Sequence, residues 1–242
     1  MNLEQKIEES KRTGELDISG MGLTTLPILP SSLTHLHCDL NQLTNIPVLP
    51  ERLKYLGCAY NQLKTLPILP PTLTNLYCSY NQLVTLPAFP PNLTEACCSY
   101  NQYTILPVLP ETLTHLGCAF NQLKTLPVLP PKLIALYCPC NQFTTLPLLP
   151  PTLKELDCSN NPYNATFTDC ITGNLPETIQ RIQTHYSNIK NQLRNTLALQ
   201  HARKGAIRVL NEDCLNILGS YLSGKSGVLH KQIAELRDDI GV

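Results

Sequence analysis

The sequence predicts a solenoid of short stacked coils, with a parallel β-sheet along a concave side and an extended convex side. Three observations carry that expectation. From Ser31 the chain aligns to itself with a strict period of 20 residues. Within each unit, residues such as Leu36 and Cys38 alternate with outward residues at period two, the pattern of a short strand with one buried face. The second half of each unit also carries a pair of prolines three residues apart, Pro47 and Pro50 in the first. Proline fixes φ and drives the preceding residue to extended geometry, so the back of each coil is polyproline-like or extended rather than helical.

The composition fits a folded chain. The 242 residues carry 18 Lys plus Arg against 18 Asp plus Glu, and 43% of them are apolar. That length suits one large domain or two small ones, and the apolar content excludes a disordered polyelectrolyte. Neutrality argues against general nucleic-acid binding and against attraction to an anionic membrane, because both need surplus Lys and Arg. The 21 Pro and 11 Cys are the unusual counts, and alone they would suggest low complexity or a disulfide scaffold. Charge alternates through Met1–Ser10, where a signal peptide needs an apolar run, and no stretch approaches the roughly 18 apolar residues of a membrane span. The expected compartment is a reducing cytoplasm, with thiols rather than disulfides.

Six full units run SSLTHLHCDLNQLTNIPVLP, ERLKYLGCAYNQLKTLPILP, PTLTNLYCSYNQLVTLPAFP, PNLTEACCSYNQYTILPVLP, ETLTHLGCAFNQLKTLPVLP and PKLIALYCPCNQFTTLPLLP; the partial PTLKELDCSNNP follows and the weaker GELDISGMGLTTLPILP precedes. Their consensus, LxxLxCxxNQLxxLPxLPxx, lies at the short end of the leucine-rich-repeat range of about 20 to 29 residues. The fold class is therefore a leucine-rich-repeat solenoid, or horseshoe. Its expected divisions are a helical N-terminal cap over 1–15, the solenoid over 16–162 and a small helical domain or cap over 163–242.

Two inward columns need separate accounts. Asn41, Asn61, Asn81, Asn101, Asn121, Asn141 and Asn161 stand where the chain leaves each strand, so their amides are expected to satisfy backbone groups that the turn would orphan. The Gln beside them in six units forms either a second polar ladder or a solvated row. Cys38, Cys58, Cys78, Cys98, Cys118, Cys138 and Cys158 occupy a buried position as small apolar filler. One inward thiol per coil makes a line rather than a tetrahedron, so no metal site is expected. Disulfides between neighbouring coils would need oxidising conditions.

Outward positions stack into columns. One runs His35, Tyr55, Asn75, Glu95, His115, Ala135, Glu155 and the next His37, Gly57, Tyr77, Cys97, Gly117, Tyr137, Asp157. A column of mostly small residues, Asp39 to Ser159, then adjoins one of Leu40, Tyr60, Tyr80, Tyr100, Phe120, Cys140 and Asn160. Read as outward strand positions, these make a shallow, almost uncharged aromatic groove. Tyr contributes large rigid contact area at low entropy cost, so Tyr55, Tyr60, Tyr77, Tyr80, Tyr100, Phe120, His115 and Tyr137 are the candidate contacts for a protein or peptide. The competing account is a ring ladder that only supports the sheet edge. No catalytic constellation and no cofactor site is expected, since no His is tied to a nucleophile and an orienting carboxylate.

The flanks break the period. An amphipathic helix over residues 1 to about 14, with Leu3, Ile7 and Lys11 in phase, would cover the first open coil. Beyond Pro162, a helix from Pro176 to about Leu199 has Ile179, Ile182, Tyr186, Ile189, Leu193 and Leu197 at spacings of three and four, with Asn174 as a start signal. Shorter helices are expected around Asn211–Leu222 and Val228–Ile240. Cys170 and Cys214 are expected to pack or cap helices. Gly219–Ser226 matches the phosphate-cradling GxxxxGKS, with Gly224, Lys225 and Ser226 as its core. The 16 residues after Ser226 leave no room for the parallel sheet and second carboxylate of a nucleotide-binding domain.

The repeat resembles the short leucine-rich repeats of bacterial effectors, the group of YopM and the IpaH and SspH ubiquitin ligases. The similarity covers about residues 16 to 162, and LPxLPxx is its most specific part. It implies a horseshoe that binds a host or cellular protein, with delivery into a host cytosol among its settings. The chain departs in placing Cys where the family has an apolar residue, and about 80 C-terminal residues cannot hold the large ligase domain, so ligase activity is not carried over. Val209–Leu222 resembles the first helix of an F-box, with Asn211 in place of the usual Pro, which implies a substrate-recognition adaptor of a ubiquitin ligase. The expected function is a non-enzymatic protein-interaction module, with the adaptor and nucleotide-binding functions as alternatives.

Overall fold

The computed structural model describes residues 2–163 and 175–202, and the chain divides into two compact units, Met1–Asn164 and Ala165–Val242. Cys170, Cys214, the GxxxxGKS segment, the F-box-like segment and the two shorter C-terminal helices lie outside the described residues.

The first unit opens with helix α1 (Leu3–Thr13), and eight strands of three residues follow it. These are β1 (Glu15–Asp17), β2 (His35–His37), β3 (Tyr55–Gly57), β4 (Asn75–Tyr77), β5 (Glu95–Cys97), β6 (His115–Gly117), β7 (Ala135–Tyr137) and β8 (Glu155–Asp157). All pair in parallel in chain order, each residue opposite its equivalent one period on, as Leu36 is opposite Leu56. Parallel neighbours require a crossover connection, commonly a helix. Here it is one extended coil turned by prolines, and no described residue between the strands is helical.

The core is a set of aligned columns. Leu33, Leu36, Cys38 and Leu43, with most of their equivalents, are fully buried. Full burial of such a side chain contributes about 1.5 to 3 kcal/mol, and each coil repeats it several times. The fourth full coil exchanges sizes, with Ala96 where its neighbours have Leu and Tyr103 where most others have Leu. Both are fully buried. The Tyr103 hydroxyl lies 3.8 Å from Cys78 Sγ, which gives a buried phenol the polar partner it needs.

The Asn column supplies what the strands cannot. Asn61 Nδ2 donates to the carbonyls of Cys38 (3.0 Å), Cys58 (3.2 Å) and Ala59 (3.2 Å), while its Oδ1 accepts from the Leu43 amide at 2.9 Å. Asn101 repeats the set on Cys78, Cys98, Ser99 and Leu83. Each side chain thus joins its own turn to the preceding coil. The Gln residues beside them are exposed, which makes theirs a solvated row.

All nine cysteines among the described residues are free. Column thiols also find weak acceptors, since Cys38 and Cys98 Sγ donate to the Gly57 and Gly117 carbonyls at 3.2 Å. Burial pushes every column thiol above its ordinary pKa, to about 12 for Cys78.

Helix α1 closes the first coil. Asn2 and Gln5 form a reciprocal capping box, and Gly14 ends the helix at φ 75°. The Gly14 carbonyl then accepts from the Thr34 and His35 amides, and Lys6 Nζ donates to the Asp17 carbonyl at 2.6 Å. Lys11 is exposed rather than inward, and Ser10 is the buried residue of that turn, its hydroxyl donating to the Ile7 carbonyl. In the second unit helix α2 (Leu175–Ala202) buries Thr178 and Ile182 and carries an Arg181–Glu177 ion pair one turn apart.

Two outcomes follow from the buried columns. Asn101→Ala removes four hydrogen bonds; the Cys78, Cys98 and Ser99 carbonyls keep Asn81, Asn121 and the Tyr80 amide as donors, but the Leu83 amide loses its acceptor, so urea unfolding should show a loss of about 2 to 3 kcal/mol at unchanged slope. The column thiols have folded pKa values above the unfolded one, so their contribution is complete below about pH 8.5 and is lost as pH rises toward the folded values. Thermal melts should therefore fall steeply above about pH 9, and a Cys58→Val, Cys118→Val protein should fall less steeply.

Candidate partner-binding surface

The aromatic residues form two sets, each held by a different part of the coil. The first stands on the strands. Tyr55 lies between His37, at a ring-centroid distance of 4.4 Å, and Tyr77, at 5.2 Å. The Tyr77 hydroxyl donates to Glu95 and the Tyr137 hydroxyl to Glu155. Burial, followed by the bond to Glu95, pushes the Tyr77 phenol up to about 12. His115 on β6 bonds to the Thr114 hydroxyl and makes no ring contact among the described residues.

The second set is Tyr60, Tyr80, Tyr100 and Phe120. Their rings stack nearly parallel with centroids 4.2, 4.1 and 4.2 Å apart. Between 36 and 50% of each residue remains exposed. This row is not on the strands, as its period suggests, but three residues beyond each strand end. All seven residues of its column, Leu40 to Asn160, have φ between 51° and 56°. Left-handed geometry costs a residue with a Cβ about 1 to 2 kcal/mol. Coil-to-coil bonds hold it, as when the Tyr60 amide donates to the Ser79 carbonyl and the Tyr80 amide to the Ser99 carbonyl. The sequence does carry a sign of this constraint. Gly20, one period before Leu40, has φ 66°, and Asn160 closes the column; these are residue types that tolerate the left-handed region.

The strand face is less neutral than the aromatic columns alone suggest. Glu15, Asp17, Asp39, Glu95, Glu155 and Asp157 lie on or just beyond the strands. Gly57 leaves room for Asp39, since a Cβ at Gly57 would stand 2.6 Å from Asp39 Oδ2 and 3.2 Å from the Tyr55 ring. Asp39 Oδ1 accepts from the Ala59 amide at 2.7 Å, and burial raises the carboxyl above its ordinary pKa. Ser79 and Ser99 hydroxyl oxygens make the same bond two and three coils further along, each accepting the amide of the following coil at 3.1 Å.

One further surface escapes a search for aromatic residues. The residue between the leucine-proline and the second proline pair is Ile28, Val48, Ile68, Val108, Val128 and Leu148, 47 to 94% exposed on the convex side. The x of LPxLP, aliphatic in all but Ala88, was the available signal.

No family model and no curated protein matches the chain. Solved structures do. The leucine-rich-repeat domain of a Shigella effector is 33% identical with a TM-score of 0.64, over 70% of this chain and 80% of that one. YopM from Yersinia enterocolitica WA-314 is 39% identical with a TM-score of 0.61 over 62% of this chain, and the match spans 33% of YopM's own length. A functional domain of InlJ from Listeria monocytogenes, described as including a cysteine ladder, is 33% identical with a TM-score of 0.53, over 71% of this chain and 43% of that one. The repeat, the eight-stranded parallel sheet and the match across most of the Shigella domain agree, and the chain belongs to the leucine-rich-repeat family of bacterial effector type.

Proposed function

We propose that the chain is a non-enzymatic interaction module whose protein or peptide partner lies along the concave strand face and the aromatic row beside it. The observation that carries this is the row of four half-exposed rings at a left-handed position. Gly or Asn would satisfy that backbone at lower cost, yet the central coils place Tyr or Phe there. Rigid rings in register present contact area whose ordering cost is already met in the unbound protein. The effector-type relatives are consistent with a protein partner, and a reducing cytosol suits a column of unoxidised thiols.

A Tyr80→Ala, Tyr100→Ala protein separates recognition from support. The two substitutions remove all three stacks, worth about 0.5 to 1.5 kcal/mol each, so the melting temperature should drop by roughly 3 to 15 °C with the fold retained. Capture of a given partner should weaken at least tenfold. A large melting drop with undiminished capture would assign the rings to the edge of the sheet alone.

A further inference from the structure

We infer that the partner segment on the concave face is cationic, an extended stretch carrying Arg or Lys about every fourth residue; the inference rests on the concave-face function proposed above. The charge balance of the chain conceals a local segregation. Across the eight strands and the residue two beyond each, six side chains are Asp or Glu and none is Lys or Arg. The solenoid does carry cations, but Arg52, Lys64, Lys124 and Lys132 lie in the connecting segments. Lys54 and Lys154 stand just before β3 and β8 rather than on them, and Lys6 of α1 reaches only the first strand, where its Nζ donates to the Asp17 carbonyl.

The carboxylates are oriented without being neutralised. Glu95 and Glu155 accept from the Tyr77 and Tyr137 hydroxyls, Asp39 from the Ala59 amide, and Asp157 from the Ser159 amide and hydroxyl. These donors are uncharged, so the negative charge remains for a partner. Among the described residues the one ion pair on this face joins Glu15 to His37, at 3.8 Å and largely solvent-exposed on the Glu15 side. The rings point the same way. Tyr55 and Tyr77 stand between Asp39 and Glu95 in strand order, and aromatic faces attract guanidinium and ammonium groups.

Spacing sets the register. The coils of β2, β5 and β8 carry Asp39, Glu95 and the Glu155–Asp157 pair, three strand steps apart each time. At about 4.8 Å per step the separation is about 14 Å, which an extended chain covers in about four residues.

The test uses the full chain and a labelled 13-residue peptide with Arg at positions 3, 7 and 11 among Ser and Thr. Matched peptides carry Gln or Glu at those positions. Fluorescence anisotropy should show saturable binding of the Arg peptide in low salt, weakened by 0.3 M salt, and at least tenfold weaker binding of the Gln and Glu peptides. Asp39→Asn, Glu95→Gln, Glu155→Gln should lose at least tenfold. Glu8→Gln, Glu51→Gln, Glu111→Gln, which removes as much charge elsewhere, should lose less than twofold, with circular dichroism melts confirming that both proteins fold. Equal loss in the two triple variants, or no binding of the Arg peptide, overturns the inference. If the Gln peptide binds as well as the Arg peptide and Tyr80→Ala, Tyr100→Ala abolishes both, the concave face stands and its cation preference falls. If that aromatic variant still captures its protein partner undiminished, the concave-face function itself falls.

Discussion

A coil of 20 residues with a three-residue strand leaves most of its backbone outside the sheet, and the polar groups at the strand exit turn inward, away from water. Burying an amide or carbonyl without a partner costs several times what a hydrogen bond contributes. The asparagine side chain removes that cost. Its amide reaches three carbonyls on two coils while its oxygen receives an amide of the preceding coil, so turn closure and coil stacking are one set of bonds. The leucine columns and the sheet provide the bulk of the burial, but they can align only if each coil ends its strand in the same place.

That common exit also creates the surface. Once every coil turns at the residue after the left-handed position, side chains at equivalent positions fall into rows a strand spacing apart. Tyr60, Tyr80, Tyr100 and Phe120 stack for that reason, at centroid distances close to the spacing of the coils. The left-handed backbone beneath them is costly for residues with a Cβ, and the bonds between coils sustain it. A similar dependence holds for Asp39, which occupies the space that Gly57 leaves one coil on.

Much of this architecture was legible because it depends on period and on residue type. Leu36 and Cys38 alternate, Asn41 recurs, and Pro47 and Pro50 exclude a helix, so strand, turn and extended back follow from elementary sterics. The left-handed column was missed because aromatic residues give no sign of positive φ, although Gly20 and Asn160 at its ends do. As a result the ring row was assigned to the strands, when it lies beyond them. The charge of the concave face was passed over for a related reason. Its acids are dispersed over four coils, and only the parallel register brings Asp39, Glu95 and Glu155 onto one surface. At Lys11, helical phase pointed inward while the contacts of the turn placed Ser10 there instead. In the fourth full coil the larger Tyr103 offsets part of the volume that Ala96 gives up, a compensation that a consensus averages away.

The dependence of the fold on the Asn ladder is most directly tested by native-state hydrogen exchange of amides that bond to Asn side chains in the inner coils, among them those of Leu43, Leu63, Leu83, Tyr103 and Leu123. These amides lie outside the strands, yet they should exchange only through cooperative opening, with protection matching that of Leu56 and Leu76. Exchange at near-unprotected rates, while the strand amides stay protected, would show that the coils hold their shape without the ladder and contradict the account.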